Sequence, residues 1–299
     1  MSKRPELSAP NSSVGRMLHP GTTSRKVPAS NLRKIALTRA AFRNWITAVV
    51  LSSAGLILRR SSLVTRLVAN LRPVTVTLVT TSGLTIRCPV LDVLPTVEVF
   101  AMQEYDHPAI VWNKVASVID CGAHVGSFSL WVTRRTACHV VAVEPNPKTF
   151  MLLRKNVNDL PDRVALRAVA VAGTVEHRTL YDTGYSPSAS LLGANNSVGS
   201  FTVEAVTLEM LIDQSGFLMV DVLKLDVEGA EQEIFRTVKT ETLQKIRVMM
   251  IECHRYLGTD VAFIEARLID AGMQVMCEDR HAETPLSLVV AWREPATSD

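Results

Sequence analysis

Acidic residues are almost missing from the first quarter of this chain. Residues 1–72 hold 13 Lys or Arg against a single acid, Glu6, whereas residues 73–299 hold 19 Lys or Arg against 28 Asp or Glu. The formal net charge of +3 therefore conceals a basic leader joined to an acidic body, two parts with different work to do. Cysteine is sparse as well: Cys88, Cys121, Cys138, Cys253 and Cys277 are scattered, odd in number and form no CxxC pair. That excludes a disulfide framework and a clustered zinc site, and predicts reduced thiols in a cytoplasmic protein. The uncharged stretch 44–58 has fifteen residues, short of the about 20 that a membrane span needs. It also follows too long a polar leader for an ordinary secretory signal. Aromatics are only 5% of the chain, and Phe42 and Trp45 alone lie among the basic residues of the leader. Nucleic acid is thereby disfavoured as a partner, because single strands bind by stacking on aromatic rings.

What is present divides the chain in three. Residues 1–32 combine Pro, Ser, Thr, Gly and basic side chains without an apolar period, and are expected to be disordered. Residues 33–73 read as a helical arm, with Leu63, Val64, Leu67, Val68 and Leu71 at helical spacing opposite Arg59, Ser62, Arg66 and Asn70, until Pro73 stops it. Two roles for the arm stay open: packing on the main domain, or lying on an anionic membrane surface as a basic amphipathic element through residues 33–72. Residues 74–299 form the main domain. It begins with a hairpin, "VTVTLVTTSGLTIRCPV", around Ser82–Gly83. Apolar strands follow at 117–120, 139–143, 164–171, 220–225, 246–251, 273–277 and 286–292, with helices near 126–135, 147–158, 229–241 and 261–271. Strand–helix alternation predicts an α/β fold with a doubly wound, mostly parallel seven-stranded sheet. The last two strands, joined by a loop alone, should be antiparallel.

The loop after the first sheet strand, "VIDCGAHVGSF", decides which nucleotide could bind. Asp120 ends the strand, Gly122 makes the turn and Gly126 opens the helix. A dinucleotide fingerprint needs a second glycine where this chain has His124, so a nicotinamide oxidoreductase is the weaker enzyme reading. S-adenosylmethionine, which has a sulfonium and no phosphate, suits the loop better: Asp120 can face the cation and bare backbone at Gly122 can admit its amino-acid tail. About 20 residues on, "VVAVEPNP" places Glu144 at the end of the next strand, where a carboxylate accepts both ribose hydroxyls. Pro145 and Asn146 continue that loop.

In "MVDVLKLDVEGAEQEIF", Lys224, Asp226, Glu228 and Glu231 crowd the carboxyl end of a buried strand, where open α/β sheets bind ligands. Lys224 inside that strand needs a carboxylate partner. Asp226 or Glu228, two apart in extended chain, could take a proton from a hydroxyl acceptor, as could His254 in "MMIECHRY". Glu231 suits the first turn of a helix. A divalent metal held by the acids stays open as an alternative, but no third ligand at a recognisable spacing accompanies them, so no metal is predicted. The polar–Pro–Pro–aromatic run of amino-directed nucleic-acid methyltransferases is missing, which disfavours base methylation.

Together, "VIDCGAHVGSFSL", "VVAVEPNPKTFMLLRKNV", "VEAVTLEMLID", "VLKLDVEGAEQEIF" and "IECH" resemble the FkbM-type methyltransferases over roughly residues 74–292. The resemblance implies the Rossmann-like class I methyltransferase fold and S-adenosylmethionine-dependent methyl transfer to a hydroxyl of a small molecule, sugar or glycan. It implies that Asp120, Gly122, Ala123, Gly126 and Glu144 hold the cofactor, with His124, Pro145 and Asn146 in the same two loops. Asp226, Glu228 and Glu231 would line the acceptor side, and the Gly/Ser/Asn-rich stretch 181–200 would be a lid. Glu209 stands where the family usually has Asp. A non-catalytic protein that keeps the cofactor fold and is recruited to membranes by its arm is the other alternative; intact Asp120, Gly122, Gly126 and Glu144 speak against it.

Overall fold

One aromatic side chain anchors the N-terminal arm to the body. The computed structural model describes residues 31–59, 74–182, 189–192, 197, 199–279 and 285–294. Helices α1 (Asn31–Ala41) and α2 (Trp45–Arg59) meet at Phe42, which is 1% exposed and packs edge-on against Phe100, 6.1 Å between centroids. Strands β1 (Thr75–Val79) and β2 (Thr85–Pro89) form the expected antiparallel hairpin. Asn44 serves β1 as a substitute neighbouring strand: its amide accepts from the Val79 N–H at 2.9 Å and donates to the Thr77 carbonyl at 2.8 Å. The described part of the arm is thus packed on the main domain. Residues 1–30 and the apolar repeat at 63–71 lie outside the described residues. No helix among the described residues is long and apolar enough to cross a membrane.

After the short helix α3 (Val93–Val97) the chain alternates: β3 (Ser117–Cys121), α4 (Ser127–Arg135), β4 (His139–Val143), α5 (Pro147–Asn156) and β5 (Val164–Arg167). Then come β6 (Ala170–Val171), β7 (Glu176–Asp182), β8 (Gly199–Val206) and α6 (Leu208–Ser215). The last part is β9 (Val220–Leu225), α7 (Glu231–Thr237), α8 (Thr240–Gln244), β10 (Ile246–His254), α9 (Val261–Asp270), β11 (Gln274–Asp279) and β12 (Leu286–Trp292). The seven-stranded sheet has the order β11-β12-β10-β9-β3-β4-β5. Strands β10, β9, β3, β4 and β5 pair in parallel, and β12 inserts antiparallel between β10 and β11. This is the expected doubly wound layout. Strand periodicity divides the core between its faces: Ile119 and Leu223 belong to one apolar cluster, Val118 and Val222 to the other.

Two expected elements are divided. The strand read at 164–171 breaks after Arg167, and Ala170–Val171 leaves the large sheet to pair with Ala205–Val206 in a three-stranded sheet with β8 and β7. Apolar residues continue through the break, so composition conceals it. The helix read at 229–241 ends at Thr237, where Val238 turns extended and buried. The Arg267 guanidinium donates to its carbonyl at 2.6 Å, closing the helix end. The stretch 181–200 begins in β7 and ends in β8, with residues 183–188, 193–196 and 198 outside the described residues.

Candidate active site

The cofactor-type loop and the acidic cluster meet at adjacent strand ends. Beyond β3 the backbone turns left-handed at Gly122 (φ 74°), His124 (φ 52°) and Gly126 (φ 90°). A Cβ at Gly122 would lie 1.8 Å from the Asp226 carbonyl oxygen, so only glycine lets this loop cross the one after β9. The Gly122 and Ala123 N–H groups donate to the Val143 carbonyl, tying the loop to β4. Glu144 accepts from the His124 N–H at 2.9 Å through one oxygen and from the Asn146 N–H at 2.8 Å through the other. Asn146 in turn caps α5 by accepting from the Lys148 N–H, and Pro147 opens the first turn. Pro145 spaces Glu144 from that cap. Burial pushes the Glu144 carboxyl above its ordinary value, against the lowering pull of His124 and both N–H donors.

Asp120 and His124 are engaged by the protein itself. The Asp120 carboxylate is fully buried, accepts from Ser129 Oγ at 2.6 Å and stands 3.5 Å from Lys224 Nζ. It holds the loop in place from beneath. The His124 ring leaves the loop toward Asp92, 3.5 Å away. Gly126 clears Leu153: a Cβ there would lie 2.7 Å from its Cδ1.

Lys224 joins the two halves. Its ammonium donates to the Gly122 carbonyl at 3.0 Å and lies 3.4 Å from Asp226 Oδ2, giving this buried cation the carboxylate partners its sequence position demanded. Burial alone would lower its pKa, but Asp226, Asp120 and Glu252 together drive it upward.

After β9 the chain does not stay extended. It turns at Glu228 (φ 51°) and Gly229 (φ 102°), and this turn, rather than strand alternation, aims Asp226 and Glu228 at His254. His254 Nε2 stands 3.4 Å from Glu228 Oε2 and 3.8 Å from Asp226 Oδ1. Its Nδ1 is 2.8 Å from Glu231, which also accepts from Thr259 Oγ1 and the Gly229 N–H. Glu231 therefore braces the histidine instead of facing a ligand. Burial drives the Glu228 carboxyl up to about 8, Asp226 and Glu231 adding to it and His254 opposing. Burial would lower His254, yet Glu228, Glu231 and Asp226 carry it up to about 10. One ligand atom from each of Asp226, Glu228 and His254 lies within 4.8 Å of the others.

The sequence reading missed several members of this site. Glu252 sits two residues before His254 on β10, a spacing that places both on one face. Burial lifts its carboxyl to about 7, Asp226 adding to the rise. Tyr105 donates a short hydrogen bond to Glu252 and lies beneath the Lys224 ammonium, 5.6 Å from its ring centre. Tyr256 donates to Glu228 at 3.3 Å. Tyr105 and Asp92 come from segment 90–116, a run of short helical turns and loops without a motif, and only the tertiary fold delivers them. Glu209, where the family usually has Asp, stays on the far side of α6, accepting from Thr242 and pairing with Lys239.

The family model for the methyltransferase FkbM domain matches residues 120–275, just over half of the chain. The hexuronic acid methyltransferase AglP of Haloferax volcanii is 25% identical over 156 residues, 51% of this chain and 59% of that protein. This chain thus spans less than two thirds of that relative's length. The 31-O-demethyl-FK506 methyltransferase FkbM of Streptomyces tacrolimicus is 27% identical over 212 residues, 60% of this chain and 81% of that one. Among solved structures, the METTL16 MTase domain is 16% identical and covers 70% of this chain and 73% of its own, with a TM-score of 0.46, a likeness too loose to add to the strand order. The matched stretch runs from Asp120, near the end of β3, into β11, holding the Glu144 loop and the Asp226–His254 cluster between them, and the chain belongs to the FkbM methyltransferase family.

Proposed function

We propose that this protein is an S-adenosylmethionine-dependent O-methyltransferase whose acceptor is a hydroxyl of a small molecule, sugar or glycan. The observation that carries the reading is the crossing at Gly122 and Asp226, which sets a nucleoside-type loop beside a cluster able to accept a proton. Glu144 fits the cofactor's ribose: each oxygen is held by one backbone N–H, and each keeps a lone pair for one of two neighbouring hydroxyls. The loop from Gly122 to Gly126, left-handed at Gly122, His124 and Gly126, would pass alongside the cofactor's amino-acid portion. A nicotinamide pyrophosphate would instead meet His124 and the nearby carboxylates of Asp92 and Glu144. The names of two relatives, a hexuronic acid methyltransferase and a 31-O-demethyl-FK506 methyltransferase, support a small hydroxylic acceptor.

When bound, the cofactor supplies a methyl carbon made electrophilic by its sulfonium. This chain's residues must place the acceptor oxygen in line with that carbon and remove its proton. The C–O bond would form from the oxygen's electron pair as the C–S pair leaves on sulfur, the acceptor's proton passing to one of Asp226, Glu228 and His254. Asp226, Glu228 and His254 converge at the strand ends where the acceptor would lie, and Glu231 and Thr259 keep His254 from turning away.

The test is calorimetric titration of the full chain with S-adenosylhomocysteine, with NADH as comparison and Glu144→Ala as control. Binding of S-adenosylhomocysteine alone, lost in the variant, is expected. Binding of neither ligand, or of NADH instead, overturns the reading.

A further inference from the structure

His254 is held firmly in the site. It is 4% exposed, and its Nδ1 is committed to Glu231, itself fixed by Thr259 and the Gly229 N–H. A histidine that donates from Nδ1 to a carboxylate offers Nε2 as a directed lone pair once an incoming cation displaces the Nε2 proton, the arrangement common behind metal ions. Here Nε2 faces two carboxylates on a different segment. No hydrogen bond to it forms: 3.4 Å to Glu228 and 3.8 Å to Asp226 exceed the range of a good N–H···O contact. Those distances suit another geometry. Ligand atoms about 2.1 Å from a shared ion stand roughly 3.0–3.8 Å apart as the angle between them opens from about 90° to 130°.

A second observation points the same way. Asp226 Oδ1 is buried and accepts no hydrogen bond from any described residue, while Oδ2 of the same carboxylate faces Lys224. A buried acceptor without a donor is costly, and this one is aimed at Nε2. Three ligand-type atoms thus converge, with Tyr256 donating to Glu228 Oε2 from one side at 3.3 Å and Glu231 behind the imidazole.

We propose that Asp226, Glu228 and His254 form a binding site for one divalent cation of the Mn²⁺ or Mg²⁺ class, held in place by Glu231 behind His254. Two carboxylates with one imidazole favour such hard to borderline ions over thiophilic ones. Asp226 and Glu228 are partly exposed, so the ion keeps positions open on the acceptor side. This deepens the proposed methyl transfer and rests on it for its purpose. An acceptor hydroxyl on the ion loses its proton to water at lower pH than a free one. Its oxygen then takes the methyl carbon as the C–S bond breaks toward sulfur.

The full chain, freed of metal by chelator and dialysis, is titrated with Mn²⁺ while free ion is followed by electron paramagnetic resonance. Calorimetry with S-adenosylhomocysteine runs in parallel. One Mn²⁺ per chain is expected, with affinity falling at least tenfold in Asp226→Asn and Glu228→Gln, and roughly 10–100-fold in Glu231→Gln. S-adenosylhomocysteine binding by the Glu228→Gln variant verifies that it folds. No uptake by a chain that binds S-adenosylhomocysteine, or uptake unchanged in both carboxamide variants, overturns the site and leaves His254 as an imidazolium paired with the carboxylates. Mn²⁺ uptake lost in those variants, in a chain that does not bind S-adenosylhomocysteine, supports the metal site and overturns the cofactor reading instead.

Discussion

Replacing Gly122 by alanine tests whether the two site loops really cross where the fold places them. Two costs can be separated. The left-handed backbone (φ 74°) disfavours any residue with a Cβ by about 1–2 kcal/mol. The new Cβ would also lie 1.8 Å from the Asp226 carbonyl oxygen and 2.9 Å from its carbon. That neighbour is backbone, so it must retreat by more than an ångström, an overpacking cost of about 1–3 kcal/mol. Gly272 provides the comparison, because it is left-handed too (φ 82°) but its Cβ would meet only the end of Arg293 at 3.4 Å. In thermal unfolding, at roughly 2 °C per kcal/mol for a chain of this size, Gly272→Ala should lose about 2–4 °C and Gly122→Ala about 4–10 °C. Gly122→Ala should also lose S-adenosylhomocysteine binding, since Asp226 is displaced together with the loop. Equal melting shifts in the two variants, with ligand binding intact, would refute the crossing.

Lys224→Met removes the cation from a buried pair in which Lys224 is 4% and Asp120 0% exposed. About 3–5 kcal/mol of stability should be lost in urea unfolding, and a loss below about 1 kcal/mol would mean that Ser129 alone satisfies Asp120. Phe42→Ala should cost about 3–5 kcal/mol if the arm is part of the core, whereas an independent arm would leave the main transition unmoved. For the arm as a membrane element, salt-sensitive binding to anionic vesicles is expected. Because Phe42 and Asn44 are built into the body, deletion of residues 1–30 is the cleaner test of the basic leader's contribution; equal vesicle binding by that variant excludes it.

Much of this protein is local and so could be read without a structure. The apolar runs at 117–121, 139–143 and 220–225 specify buried parallel strands because both faces are covered. Asp120, Gly122 and Glu144 announce themselves by their places at strand ends. Gly122 illustrates the limit. Its glycine was legible, but the partner that demands it, the Asp226 carbonyl, lies over a hundred residues away.

The sequence by itself determined the order of strands and helices, the glycine loop after β3, the acids that follow β9 and the family to which they belong. Each rests on short-range periodicity or on spacing within one segment. Tertiary structure alone decided that β12 slips between β10 and β11, that Ala170–Val171 deserts its sheet, and that Tyr105 and Asp92 reach the site. It also decided the meeting of His254 with Asp226, Glu228 and Glu231. That meeting depends on β10 lying beside β9 in register and on a left-handed turn at Glu228. Pairing between distant segments minimises the energy of the whole sheet, and no local pattern encodes it.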